Sequence, residues 1–210
     1  MDLTAPTVGI DPAIAITLRA ALGLLLVVAA WHKLRDFGAF RSALAAYDLV
    51  PLSRQAPAAM LVVAAELVVG TSLILFGGPA SALAAAALLA LYSGAIAANL
   101  LRGRRDIDCG CAGPARRVPL GGGLVVRNLI LIGAALSTCL PFAQRPLLWL
   151  DAVTIGAGAA ALVLLYQTAD AAMANVLQMQ NLELRALIDS HSGIDTRHPT
   201  PDTRPEGSLP

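Results

Sequence analysis

The stretch ASALAAAALLALYSGAIAANLL, residues 80–101, contains no charged side chain. A helix that crosses a bilayer needs about 20 mostly apolar residues, so this run is long enough to span one. Gly77-Gly78-Pro79 breaks the chain immediately before it, and Arg102-Gly103-Arg104-Arg105 follows. Four further stretches answer to the same description. They run from about Pro12 to Trp31 with Arg19 inside, Ala56 to Phe76 with Glu66 inside, Leu124 to Phe142 with Arg127 near its start, and Leu147 to Gln167 with Asp151 near its start. The expected fold is all-α, a polytopic membrane bundle of four to five transmembrane helices without a sheet.

Composition agrees. Of 210 residues, 57% are hydrophobic and 14% charged, with a mean hydropathy of +0.69. A soluble domain carries about 25% charged residues. The net charge of +1, with no basic run interleaved with aromatics, gives no sign of nucleic-acid binding. The amino terminus, Met1-Asp2-Leu3-Thr4, lacks the positive region of a signal peptide, so the first apolar segment is expected to be retained.

The connection from His32 to Gln55 mixes charges with Phe37, Phe40, Leu44 and Tyr47 at three- and four-residue spacing. That periodicity predicts an amphipathic helix at the membrane interface. Past Gln167 an irregular apolar stripe, Met173, Val176, Leu177, Leu184, Leu187 and Ile188, predicts a helix over 169–189, either continuing the fifth span or lying on the surface. Residues 190–210 hold four prolines among polar residues, the composition of a disordered tail. The expected organisation is therefore a transmembrane domain over 1–168, that helix, and the tail.

Chemistry concentrates in Asp108-Cys109-Gly110-Cys111, within the Arg-rich connection that follows residue 101. Thiolate is the reactive form of cysteine, and the flanking Arg102, Arg104, Arg105, Arg116 and Arg117 favour it, while Asp108 opposes it. A disulfide between residues i and i+2 requires a tight turn, which Gly110 permits. Strained, exposed disulfides exchange readily, so Cys109 and Cys111 are candidate catalytic residues of a redox pair. The alternatives are two unreacted thiols or half of a metal site. A structural zinc site wants four ligands; only Cys139, His32, His191 and His198 remain, and no two are paired at ligand spacing. No metal and no cofactor is expected. Cys139 falls near the far end of the fourth span and reads as inert.

Charges within spans are costly and face the bundle interior. Arg19 and Asp151 lie toward the same face and are expected to pair. Glu66 is either a proton relay or a structural partner of Arg127 or Arg19.

Taken together, the order of motifs resembles the methylamine utilisation MauE family, within the broader DoxX-like membrane proteins. The resemblance rests on His32-Lys33-Leu34 with Phe40, Tyr47-Asp48-Leu49-Val50-Pro51, Glu66, Asn99-Leu100 before Arg102-Gly103, Asp108 to Cys111, Arg127-Asn128-Leu129, and Trp149-Leu150-Asp151 before Val153-Thr154. It covers about residues 13–168, with Ala112 standing where many relatives have an aromatic residue. The resemblance implies a multi-pass bacterial inner-membrane protein needed for methylamine dehydrogenase biogenesis. Its client would be the disulfide-rich small subunit of that enzyme, and its partner a thioredoxin-like protein of the MauD type. On this reading the Cys-Gly-Cys motif supports disulfide formation, or processing and export, as an accessory thiol–disulfide protein rather than a conventional enzyme. A non-redox membrane scaffold and a small-molecule permease are the competing functions; few polar residues inside the spans and no evident repeated half speak against the permease.

Five crossings place the Cys connection, the 32–55 connection and the carboxyl tail on one face. Nine Lys and Arg residues lie in those two connections, against Arg145 alone opposite. The positive-inside rule puts that face in the cytoplasm, whereas a periplasmic client would favour the reverse.

Overall fold

The computed structural model describes residues 10–104, 107, 120–141, 143 and 145–195. The described residues form six α-helices and one short 3₁₀ turn, with an isolated β-bridge at Ile10 and no strand. The helices are α1 (Pro12–Arg35), α2 (Phe37–Ala46), α3 (Gln55–Leu75), α4 (Pro79–Leu101), α5 (Gly122–Ser137) and α6 (Trp149–Asp195), with the 3₁₀ turn at Leu52–Arg54 before α3. Four of these segments are long and apolar enough to cross a membrane: Pro12–Arg35, Leu52–Leu75, Pro79–Leu101 and Trp149–Val176. The 16 residues of α5 make a shorter apolar helix of about 24 Å. The predicted membrane bundle is thus observed.

Local chemistry sets the boundaries. Asp11 caps α1 by accepting from Ala13 N at 2.8 Å, and Pro12 opens the helix without losing a needed donor. Asp36 ends α1 and starts α2, its side chain accepting from Ala39 N. Gly77 adopts a φ of +60° beyond the end of α3, and its N–H donates to Ser72 O, as left-handed helix caps do. Pro79 then opens α4.

The chain divides into two units, Met1–Ala174 and Asn175–Pro210. In the first, α1 packs on α3, α3 on α4, and α4 on α5. Its larger core cluster joins Leu22 and Leu26 of α1, Leu73 of α3, Ala82, Ala85 and Leu88 of α4, and Ala135 of α5. The α1–α3 crossing is close because Gly23 and Gly70 face each other. A Cβ built on Gly23 would lie 2.7 Å from Gly70 O, and one on Gly70 2.9 Å from Gly23 O. The span within α6 is peripheral: 6% of its most apolar window is buried, against 28–39% in the other three. In the second unit the described chain is the remainder of α6, to Asp195.

Candidate functional site

Cys109 and Cys111 lie outside the described residues, as does Asp108. What is described is the base of their connection. Leu120 N donates to Ile107 O at 3.1 Å, so the two ends of segment 108–119 are held together. Both ends sit on a second apolar cluster, in which Leu120, Tyr47, Ile96 and Leu124 are buried and Ile107 packs against them. Arg104 adds an exposed ion pair of 3.5 Å to Asp48, in the turn after α2. The Cys connection is therefore rooted against the turn that follows the amphipathic helix. Two peptide units separate Ile107 from Cys109.

Beside that cluster lies a buried polar centre. Lys33, on the last turns of α1, continues the buried stripe of Leu22, Leu26 and Ala30. Its Nζ donates to Glu66 Oε1, and Tyr92 Oη donates to the same oxygen at 2.8 Å. Lys33 is 6% and Glu66 1% exposed. Paired and hydrogen-bonded, such charges are tolerated where isolated ones are not. The ammonium also lies 5.3 Å from the Phe40 ring centroid and 5.5 Å from that of Tyr92, within range of cation–π attraction. Glu66 Oε2 is buried with no hydrogen-bond partner among the described residues.

These pairings correct two expectations. Glu66 pairs with Lys33 rather than with Arg127 or Arg19. Arg127 pairs instead with Asp170 of α6, stacks over the Tyr166 ring at 5.4 Å, and donates to Asn128 Oδ1. Asp151 is held by Arg145, which bridges it at 2.8 Å to Asp11 at 2.9 Å, while Arg19 donates to Thr138 O at 2.8 Å. The Arg145 and Leu148 groups take the positions around Asp151 that Arg19 was expected to fill. Outside the spans, the hydrogen bond from Arg145 and that from Ala13 N hold the Asp11 carboxyl below its ordinary range. Hydrogen bonds to Asp151 and Asp11 push Arg145 upward in turn. Cys139 is an exposed free thiol, 4.0 Å from Pro79 O.

Lys33, Tyr92 and Asp170 are residues that reasoning from the sequence missed. A signal for Lys33 was present: it falls at the next helical step after residues 22, 26 and 30. The corresponding signal for Asp170 is its spacing of four from Tyr166, which places both on the side of α6 that meets Arg127.

Comparison with known proteins points one way. The sequence profile of the family described as "Methylamine utilisation protein MauE" matches residues 11–141. The chain is 39% identical over 159 residues to "Methylamine utilization protein MauE" of Paracoccus denitrificans, covering 74% of this chain and 85% of that one. It is 37% identical to the protein of that name from Methylophilus methylotrophus, covering 76% and 86%, and 37% identical to that of Paracoccus versutus, covering 76% and 87%. No solved structure matches the chain.

Proposed function

The chain belongs to the MauE family of methylamine utilisation proteins, and from that premise we propose that it serves methylamine dehydrogenase maturation through thiol–disulfide exchange at Cys109 and Cys111. The observation that carries this reading is the Cys-Gly-Cys motif set in a basic connection. The closed Ile107–Leu120 base of that connection adds support, because it tethers the motif to the bundle instead of leaving it on a free tail.

In the exchange, a client thiolate attacks the Cys109–Cys111 disulfide and forms a mixed disulfide, releasing one cysteine as thiolate. A second client thiolate then displaces the remaining cysteine. The client gains one disulfide, and Cys109 and Cys111 together gain two electrons and two protons. A thioredoxin-like partner of the MauD type, in its disulfide form, takes these by the same exchange and restores the pair. The client is the methylamine dehydrogenase small subunit, and the setting is the bacterial inner membrane. The flanking arginines lower the thiol pKa and so raise the fraction of attacking thiolate.

The test replaces each cysteine singly with serine in a host that depends on methylamine. The expected result is loss of growth and of correctly bridged small subunit with either variant, while the membrane protein still accumulates. Normal bridging in both variants would remove the exchange reading and leave a scaffold that shelters or exports the client.

A further inference from the structure

The turn of α6 around Asp170 meets the bundle where the Cys connection runs into α5. Asp170 is 7% exposed and pairs with Arg127, in the second turn of α5, whose guanidinium lies over the Tyr166 ring. Met173 reaches the same region: a Cβ built on Gly123 would lie 2.8 Å from its Sδ. Ala174 belongs to the buried cluster that includes Leu120 and Leu124. Residues 170, 173 and 174 fall on one face of the helix, and the residues just named opposite them run from Leu120 to Arg127. We propose that Asp170, acting through Arg127, is a positioning residue for the Cys109–Cys111 pair, fixing α6 against the glycine junction that anchors the downstream end of the Cys connection. That role rests on the thiol–disulfide exchange proposed for the two cysteines.

The junction needs an external hold. Gly121, Gly122 and Gly123 join Leu120 to α5, and glycine restricts the backbone least of all residues. Gly121 caps the helix without a side-chain hydrogen bond. Apolar packing from α6 supplies little, since 6% of the most apolar window of its span is buried. An apolar contact also tolerates sliding and rotation of a helix, whereas a charge pair beside a stacked ring is met in one register. A buried pair adds little net stability over apolar residues of similar volume, so its expected contribution is geometric rather than energetic. The effect reaches the cysteines through the base of their connection. Leu120 N donates to Ile107 O at 3.1 Å, so a displaced Leu120 either carries the upstream end with it or lets it go. Cys109 stands two residues beyond Ile107. A disulfide between residues i and i+2 requires a tight turn, and a looser base leaves more backbone freedom to be lost in closing it.

The measurement is the equilibrium of the full chain, in detergent and in a Cys139→Ser background, with reduced and oxidised glutathione. Oxidised glutathione takes two electrons and two protons from the Cys109 and Cys111 thiols, which become a disulfide as two reduced glutathiones form. Intact mass after alkylation gives the oxidised fraction, and the thermal midpoint is followed in parallel. Asp170→Asn should lower the equilibrium constant about fivefold to tenfold, the freedom of roughly one backbone residue. That variant leaves Arg127 without its carboxylate and loses stability for that reason alone, so Arg127→Met with Asp170→Met provides a second arm without a buried charge. The double variant should keep the native thermal midpoint and still show the shift in oxidised fraction, which a purely structural pair would not produce. An unchanged equilibrium in either variant, or a shift seen only where the midpoint falls, overturns the role of Asp170 and leaves the exchange reading standing. Failure of the Cys139→Ser chain to form the Cys109–Cys111 disulfide at any glutathione ratio is a distinct result, which removes the exchange reading and the positioning role with it.

Discussion

Glu66 sits at the twelfth position of a 21-residue helix, as deep in the bundle as a carboxylate in this chain is found among the described residues. An unpaired charge at such depth costs about 2.5–3.5 kcal/mol on insertion scales. Lys33 removes most of that cost, so single and double substitutions should differ sharply. Lys33→Met alone leaves a buried carboxylate and should destabilise by about 3–5 kcal/mol, whereas Lys33→Met with Glu66→Met should recover most of the loss. Thermal midpoints in detergent check this; equal loss in the single and double variants would mean the pair is not coupled. Asp11 provides a second residue-level test. Its folded carboxyl titrates below the ordinary value of 3.8, so its contribution is complete above that value and is lost as the pH falls through the lowered one. The stability gap between the native chain and Asp11→Asn should accordingly be constant near neutrality and close as the pH is taken below 3.8. A gap that widened on acidification would contradict the sign. At this scale the sequence was only partly legible. That Glu66 needs a cation could be argued from its position in an apolar run, but which cation depended on where α1 ends. Reading Lys33 as part of a loop removed it from consideration, although hydrogen bonding continues four residues past Trp31, to Arg35.

Among the elements, α1 and α3 form the tightest contact, and the reason is two glycines rather than a large apolar interface. Without a hydrophobic driving force between lipid-immersed helices, close backbone approach supplies the packing energy. A methyl at Gly23 would meet Ile74 Cγ1 at 2.6 Å and Gly70 O at 2.7 Å, and one at Gly70 would meet Gly23 O at 2.9 Å. Gly23→Ala and Gly70→Ala should therefore each cost about 1–3 kcal/mol through overpacking, because each added methyl meets the other helix's backbone oxygen and moving Ile74 does not relieve that contact. Gly94→Ala is the control, since nothing lies within 4 Å of its added carbon. Accumulation in membranes and thermal midpoint should rank Gly94→Ala above both Gly23→Ala and Gly70→Ala; equal behaviour of all three would dissolve the close-crossing argument. Element positions were the most legible feature, because an apolar run of 20 residues leaves little choice in lipid, where backbone groups must be bonded internally. The run at 80–101 is matched by α4 to within one residue. The carboxyl-terminal side was less legible: α6 continues without a break from Trp149 to Asp195, past the Gln167 where apolar residues thin out. Hydropathy reports where lipid ends, whereas a helix ends only where its hydrogen bonds or caps do.

For the whole molecule the open question is which way the bundle faces, and charge and function pull in opposite directions. Lys33, Arg35, Arg41 and Arg54 stand at the Cys-connection end with Arg102, Arg104, Arg105, Arg116 and Arg117, against Arg145 opposite. Two of these cations are engaged, Lys33 with buried Glu66 and Arg104 with Asp48. Arg145 pairs with Asp11 and Asp151. The positive-inside rule counts Lys and Arg rather than net charge, so the expectation from this bias is that Cys109 and Cys111 face the cytoplasm. The measurement uses intact spheroplasts, a membrane-impermeant thiol reagent and a Cys139→Ser background. Cys109 and Cys111 should react only after permeabilisation. Gly78→Cys, at the other end of the bundle in a position with nothing within 4 Å of the added carbon, should react without it when both loop cysteines are serine. The reverse pattern would refute the charge argument and set the pair on the side of a periplasmic client. The expected pattern bears on the exchange proposal as well: sulfur must touch sulfur, so direct exchange between this pair and a periplasmic client stands only if the reverse pattern is found.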